Sequence, residues 1–156
     1  MLRLYSAALI LAFGTAASVH AQDFDANTSH QAFIEAFNNR QWDDVKSVLT
    51  EDSVFHRATG DEVFMGPDAI VGRFSKTIGS PDEWNVKFAR LDSTSQLAGK
   101  DGRVVERGDF AVTAGADDSG CYAGSYMATW MPKDGGDWGL QVFAWQDVEA
   151  DPSTCQ

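Results

Sequence analysis

The stretch Ile70-Val71-Gly72-Arg73-Phe74-Ser75-Lys76-Thr77-Ile78-Gly79-Ser80-Pro81-Asp82-Glu83-Trp84-Asn85-Val86-Lys87-Phe88 changes its hydrophobic period halfway along. Up to Ile78 the apolar residues Ile70, Val71, Phe74 and Ile78 recur at helical spacing. From Trp84 onward Trp84, Val86 and Phe88 alternate with Asn85 and Lys87. The first pattern fills one face of a helix and the second one face of a strand. Gly79-Ser80-Pro81 separates them, because Pro cannot continue a helix. Before this point the chain reads as helices with one short strand, and after it as strands. Helices segregated ahead of a meandering antiparallel sheet define an α+β domain.

Working back towards the N-terminus, Gly66-Pro67 opens the helix just described, with Pro67 at its first position. A turn at Thr59-Gly60-Asp61 precedes it, and before that a short strand spans Ser53 to Arg57. Trp42, Val45, Val48 and Leu49 share one side of a helix from Trp42 to Leu49. Thr28-Ser29-His30-Gln31 has the capping-box spacing, and Phe33, Ile34 and Phe37 follow with helical period. Working forward, Val104, Phe110 and Val112 share a strand face, set off by the turn Gly99-Lys100-Asp101-Gly102. The next strand places Tyr122, Tyr126, Ala128 and Trp130 on one face and Ala123, Met127 and Met131 on the other. Asp134-Gly135-Gly136-Asp137 is a hairpin turn, and the last strand runs from Trp138 to about Asp147. Its alternation puts Phe143 and Trp145 on one face and Trp138, Leu140 and Val142 on the other. Helices cover only one side of such a sheet. The second apolar face therefore predicts a homodimer through the sheet, with a folded-over C-terminal tail as the alternative.

The chain has 156 residues, 12 Lys plus Arg against 23 Asp plus Glu, and a formal charge of -11. That length suits one domain, and 44% hydrophobic residues exclude a disordered chain. The acidic balance argues against nucleic acid and against an anionic membrane surface as partners. Arg3 followed by the apolar run Leu4 to Phe13, then Gly14 and Val19-His20-Ala21, has the layout of a cleavable export signal over residues 1–21. The expected mature domain is Gln22 to Gln156, periplasmic or secreted. In that oxidising setting Cys121 and Cys155 are expected to pair, contributing roughly 3–4 kcal/mol; a reactive thiol is the alternative.

The segments Phe33-Ile34-Glu35-Ala36-Phe37-Asn38, Trp42-Asp43-Asp44-Val45, Leu49 to Phe55, Gly66-Pro67-Asp68-Ala69-Ile70, and the closing Trp130, Gly135-Gly136, Trp138 and Trp145 stand in a telling order. In order and spacing the mature chain resembles the nuclear transport factor 2-like superfamily, in its SnoaL-like bacterial branch. The resemblance implies a cone, a strongly curved sheet wrapped around three N-terminal helices, with a deep pocket and dimerisation through the sheet. It does not fix an activity, since the same cone serves enzymes and binding modules. In the ketosteroid isomerase branch a first-helix Tyr donates to the oxyanion, and that position here is Phe33. The general-base Asp of that branch falls at Arg57, a permanent cation. The resemblance therefore argues against that isomerase chemistry.

His30 falls in the first helical turn, which leaves His56 as the mature His expected within the fold proper. Arg57 is the candidate to polarise a carbonyl, with His56 or Asp109 as base. Alternation puts His56 and Arg57 on opposite faces, so one of them faces the pocket. In Glu106-Arg107-Gly108-Asp109, Glu106 shares a face with Phe110, and Arg107 with Asp109. A carboxylate there is either a pocket acid or base with a raised pKa or half of an ion pair on the sheet face. Phe33, Phe37, Phe74, Phe88, Tyr126, Trp130 and Trp145 are expected to line the pocket, which suits a small apolar ligand. No metal-ligand or phosphate-loop spacing occurs, so no metal or cofactor is expected. The favoured expectation is ligand binding without catalysis; the alternative is a lyase, isomerase or hydrolase using general acid–base chemistry in the same pocket.

Overall fold

The computed structural model describes residues 26–78, 87–99, 102–115, 120–134 and 137–155. The stretch 1–21 expected to be an export signal, Gly79-Ser80-Pro81, Trp84 and Val86, the centre of the Gly99–Gly102 turn and Gly135-Gly136 lie outside the described residues. Three helices, α1 (Ala26–Asn38), α2 (Trp42–Val48) and α3 (Pro67–Thr77), accompany six strands. The strands are β1 (Leu49–Arg57), β2 (Glu62–Met65), β3 (Lys87–Ala98), β4 (Val104–Ala114), β5 (Gly120–Pro132) and β6 (Trp138–Glu149). A 3₁₀ turn (Pro152–Cys155) ends the chain's described part. The expected α+β order holds, with the helices collected on one side of a curved sheet.

The sheet differs from expectation in two ways. Its order is β2-β1-β6-β5-β4-β3, and β1 runs parallel to β6 while every other neighbour is antiparallel. The sheet is therefore mixed rather than antiparallel. β2 forms a hairpin with β1 through the Thr59-Gly60-Asp61 turn, where Gly60 and Asp61 have φ of 90° and 53°. Four residues with only intermediate and exposed positions gave that strand little hydrophobic signature.

The second difference is a bulge in β6. Thr129 pairs with Val142 and Trp130 with Leu140, which leaves Gln141 over. The extra residue shifts the side-chain phase, so Leu140 and Phe143 both point inward, at 0% and 5% exposure. Strict alternation along the sequence puts Leu140 on one face with Trp138 and Val142, opposite Phe143; the bulge moves it into the core. β1 is irregular over the same stretch, between Leu49 and Val54. The buried Ser53 hydroxyl fills this seam, 2.7 Å from the Leu140 carbonyl oxygen. Gln141 Nε2 donates to Asp52 across it at 2.6 Å.

The core lies between the helices and the concave face of the sheet. On α1, His30, Phe33, Ile34 and Phe37 are all buried. Asn38, at the end of α1, both donates to the Phe88 carbonyl (2.9 Å) and accepts from the Phe88 N–H (2.8 Å). This side chain acts as a short strand partner and pins the helix to β3. At the far end Cys121 and Cys155 form the expected disulfide, with Cα atoms 6.0 Å apart.

Candidate functional site

A cavity of about 310 Å³ opens between α1, α3 and the concave face of the sheet. Its deep walls are aromatic. Phe33 and Phe37 come from α1, Phe55 from β1, Phe110 from β4 and Phe143 from β6. Neighbouring rings meet at centroid distances such as 5.2 Å for Phe37–Phe74 and 5.4 Å for Phe55–Phe143. Phe88 lies parallel to Phe110 at 5.2 Å. These spacings are those of favourable offset and edge-on ring pairs, so the wall is well packed and not a collapsed gap.

The charged groups of the lining are few and grouped. Arg57, Glu62, Arg73 and Asp147 all line the cavity, with Thr77 beside Arg73. The Arg57 guanidinium grips Asp147 with two parallel bonds, Nε to Oδ1 at 2.9 Å and Nη2 to Oδ2 at 2.8 Å. That grip is the main reason the Arg57 pKa is raised further still, against the opposing effect of burial. Glu62 bridges the two cations, 3.1 Å from Arg73 Nη2 and 3.5 Å from Arg57 Nη1. Arg73 also bonds Thr77 and lies over the Phe64 ring at 5.6 Å. The Arg57, Arg73 and Glu62 side chains are about one-third exposed, which marks this end as the mouth.

Behind the aromatic wall lies a second constellation. Glu106, on β4, is wholly buried. It accepts from Tyr126 Oη at 2.7 Å, Arg90 Nη1 at 3.0 Å and Trp130 Nε1 at 3.1 Å. His30 Nδ1 stands 3.2 Å from each carboxylate oxygen. Burial pushes the Glu106 pKa up, but the bonds from His30, Tyr126 and Trp130 outweigh it and hold the carboxyl below its usual value. Burial and the Glu106 carboxylate together drive the Tyr126 phenol upward. His30 Nε2 is buried and has no hydrogen-bond partner among the described residues. The His30 ring lies 6.2 to 6.3 Å from Phe33, Phe88 and Phe143, three residues of the cavity wall.

Of the residues singled out from sequence, Phe33, Phe37, Phe74, Phe88, Trp145 and Arg57 line the cavity. Tyr126 and Trp130 do not; their polar atoms are committed to Glu106. His56 sits on the opposite side of β1 and faces Asp61 at 3.5 Å. Asp109 is exposed on the convex side of the sheet, in a shallow groove with Arg107, Ser125, Met127 and Gln146. Arg57, His56 and Asp109 therefore do not converge. Of the two alternatives for a carboxylate on this strand, Glu106 is not the raised acid or base: His30, then Tyr126 and Trp130, hold its pKa down. His30, expected outside the fold proper, is fully buried. Its signal was present as His30, Phe33, Ile34 and Phe37 at i, i+3, i+4 and i+7, one helix face. Among the described residues no three His, Cys, Asp or Glu side chains gather as metal ligands, and no helix is long and apolar enough to cross a membrane.

A family model described as SnoaL-like domain matches residues 30–150. No protein of curated function matches the sequence. Among solved structures, a conserved protein from Planctomyces limnophilus superposes with a TM-score of 0.68 at 18% identity, covering 84% of this chain and 99% of that one. ActVI-ORFA from Streptomyces coelicolor gives 0.65 at 10% identity, covering 78% and 92%. The hexachlorocyclohexane dehydrochlorinase LinA-type3 from Novosphingobium barchaimii gives 0.64 at 14% identity, covering 80% and 88%. At these identities the likeness is one of fold.

Proposed function

The chain belongs to the SnoaL-like domain family, and on that premise we propose that it is an exported, homodimeric binding protein whose cavity holds a small, largely apolar molecule without transforming it. The observation that carries this reading is the cavity itself: about 310 Å³, walled by aromatic rings, with its charged groups confined to the mouth and already paired. That volume lies at the lower end of the roughly 300–1,000 Å³ typical of ligand pockets. The residues offered from sequence as acid, base and electrophile do not meet in it. Export is supported by the N-terminal sequence pattern and by the Cys121–Cys155 bridge, which an oxidising compartment favours. Dimerisation is supported by the convex groove, where Arg107 and Asp109 share a face and two-fold symmetry would let each pair with its opposite.

Native mass spectrometry of protein secreted with its own leader tests all three parts. The expected species is a dimer of Gln22–Gln156 carrying a discrete non-covalent mass. A ligand-free monomer that retains residues 1–21 overturns the reading.

One observation favours a second reading, an acid–base enzyme. In His30 a carboxylate holds Nδ1 while Nε2 has no partner among the described residues, the pairing of a base with its orienting acid. Under that reading the bound molecule is turned over by the native protein, while His30→Asn binds it and leaves it unchanged.

A further inference from the structure

At the mouth of the cavity a carboxylate already sits between two guanidinium groups. Glu62 approaches Arg73 Nη2 at 3.1 Å with one oxygen and Arg57 Nη1 at 3.5 Å with the other. The two grips on it are unequal in kind to that on Asp147. Asp147 has both oxygens on Arg57 at 2.8 and 2.9 Å, and its side chain is 11% exposed. Glu62 has one good bond and one long contact, and its side chain is 35% exposed. It is also the first residue of a four-residue edge strand, directly after a turn with two left-handed residues. Glu62 is thus the carboxylate of this site that water and the mouth can most easily draw away.

We propose that the cavity selects aromatic carboxylates, and that the ligand's carboxylate replaces Glu62 between Arg57 and Arg73 while its ring enters among the phenylalanines. This deepens the binding reading above and rests on it. Glu62 demonstrates by its own position that a carboxylate fits between the two guanidinium groups, within reach of one nitrogen of each, where its charge gains more than a neutral head group would. The exchange conserves charge at the mouth, since one anion leaves as another arrives. Neither cation is left uncompensated, so the burial of the ring is retained as the net gain. A cationic head group meets the opposite situation, two guanidinium groups at the entrance. Asp147 remains in place throughout and keeps the Arg57 fork oriented. The protein's overall negative charge opposes an anion from afar, but at physiological salt that field is screened beyond about 8 Å.

The test is calorimetric titration of the dialysed, ligand-free protein with three matched probes: naphthalenecarboxylate, naphthalenecarboxamide and naphthylmethylammonium. The carboxylate is expected to bind about tenfold tighter than the amide, the effect of charge-assisted over neutral hydrogen bonds, with the ammonium weakest. Glu62→Gln is expected to tighten the carboxylate severalfold and leave the amide unchanged, because the competing anion is gone. Arg73→Gln is expected to erase the preference for the carboxylate while the amide still binds. Both side chains are partly exposed, and circular dichroism of each variant confirms folding. Equal affinity for amide and carboxylate, unchanged in Arg73→Gln, overturns the carboxylate proposal and leaves the apolar pocket standing. Failure of all three probes to bind overturns the pocket reading and the proposal with it.

Discussion

Among the described residues, Glu106 ties together four side chains of the interior. Its carboxylate is faced by His30 from α1, Arg90 from β3, and Tyr126 and Trp130 from β5, while it is itself fully buried. Removing one member of a buried ionic cluster strands the others, at a cost of about 3–5 kcal/mol. Glu106→Ala is therefore expected to lower the unfolding free energy by that amount in urea titrations. The same residue sets an acid limb. Its folded pKa lies below the usual 4.5, so its contribution is complete above that pH and is lost as pH falls through the lower folded value. Glu106→Gln is expected to flatten the loss of stability below about pH 4.5 relative to the native protein. At this scale the sequence was half legible. The alternation of β4 put Glu106 on the face of Phe110, as found, yet its partners come from three other elements. A carboxylate's environment is a tertiary property, and nothing local to residue 106 says whether donors or hydrocarbon will surround it.

Among the described glycines, Gly124 on β5 has the least room for a side chain, because β6 lies against it. A Cβ added at Gly124 would overlap the Gln146 carbonyl oxygen and lie 3.0 Å from the Asp147 Cα. The obstacle is backbone, which cannot swing aside as a side chain can. Gly124→Ala is thus expected to cost about 3 kcal/mol or more, at or beyond the upper end of overpacking effects. A lower urea midpoint with an unchanged m value would show it. Elements with a strong period were readable from sequence: α1 and α3 by helical spacing, β4 and β5 by alternation. β2 was not, because a short edge strand buries no continuous face. The bulge at Gln141 was also hidden, since Trp138, Leu140 and Val142 alternate without interruption. Only the pairing with β5 and the seam with β1 reveal that the phase has slipped, and with it the burial of Leu140.

For the molecule as a whole, the disulfide is the one covalent tie between the sheet and the end of the chain. Cys155 lies 34 residues beyond Cys121, and the backbone N–H of Ala150 also bonds the Cys121 carbonyl. Opening the bridge frees a loop of that length in the unfolded state, worth about 3–4 kcal/mol. Reduction by dithiothreitol is expected to lower the thermal midpoint by on the order of 10 °C. The order of parts announced an α+β domain, because each helix and strand carries its own pattern, and the family resemblance narrowed that to the cone. What no local pattern announced is that the first strand lies beside the last and parallel to it. That seam also gives the fold a timetable. In a chain that emerges N-terminus first, as the proposed export requires, Leu49 is free long before Leu140, its partner across the sheet. Through that interval Phe55 and the apolar side of α1 have no final resting place, and only the hairpin of β1 with β2 and the local helices are available to them. The form most exposed to aggregation and proteolysis is therefore the nearly finished chain, and safety arrives all at once when β6 slides into the gap.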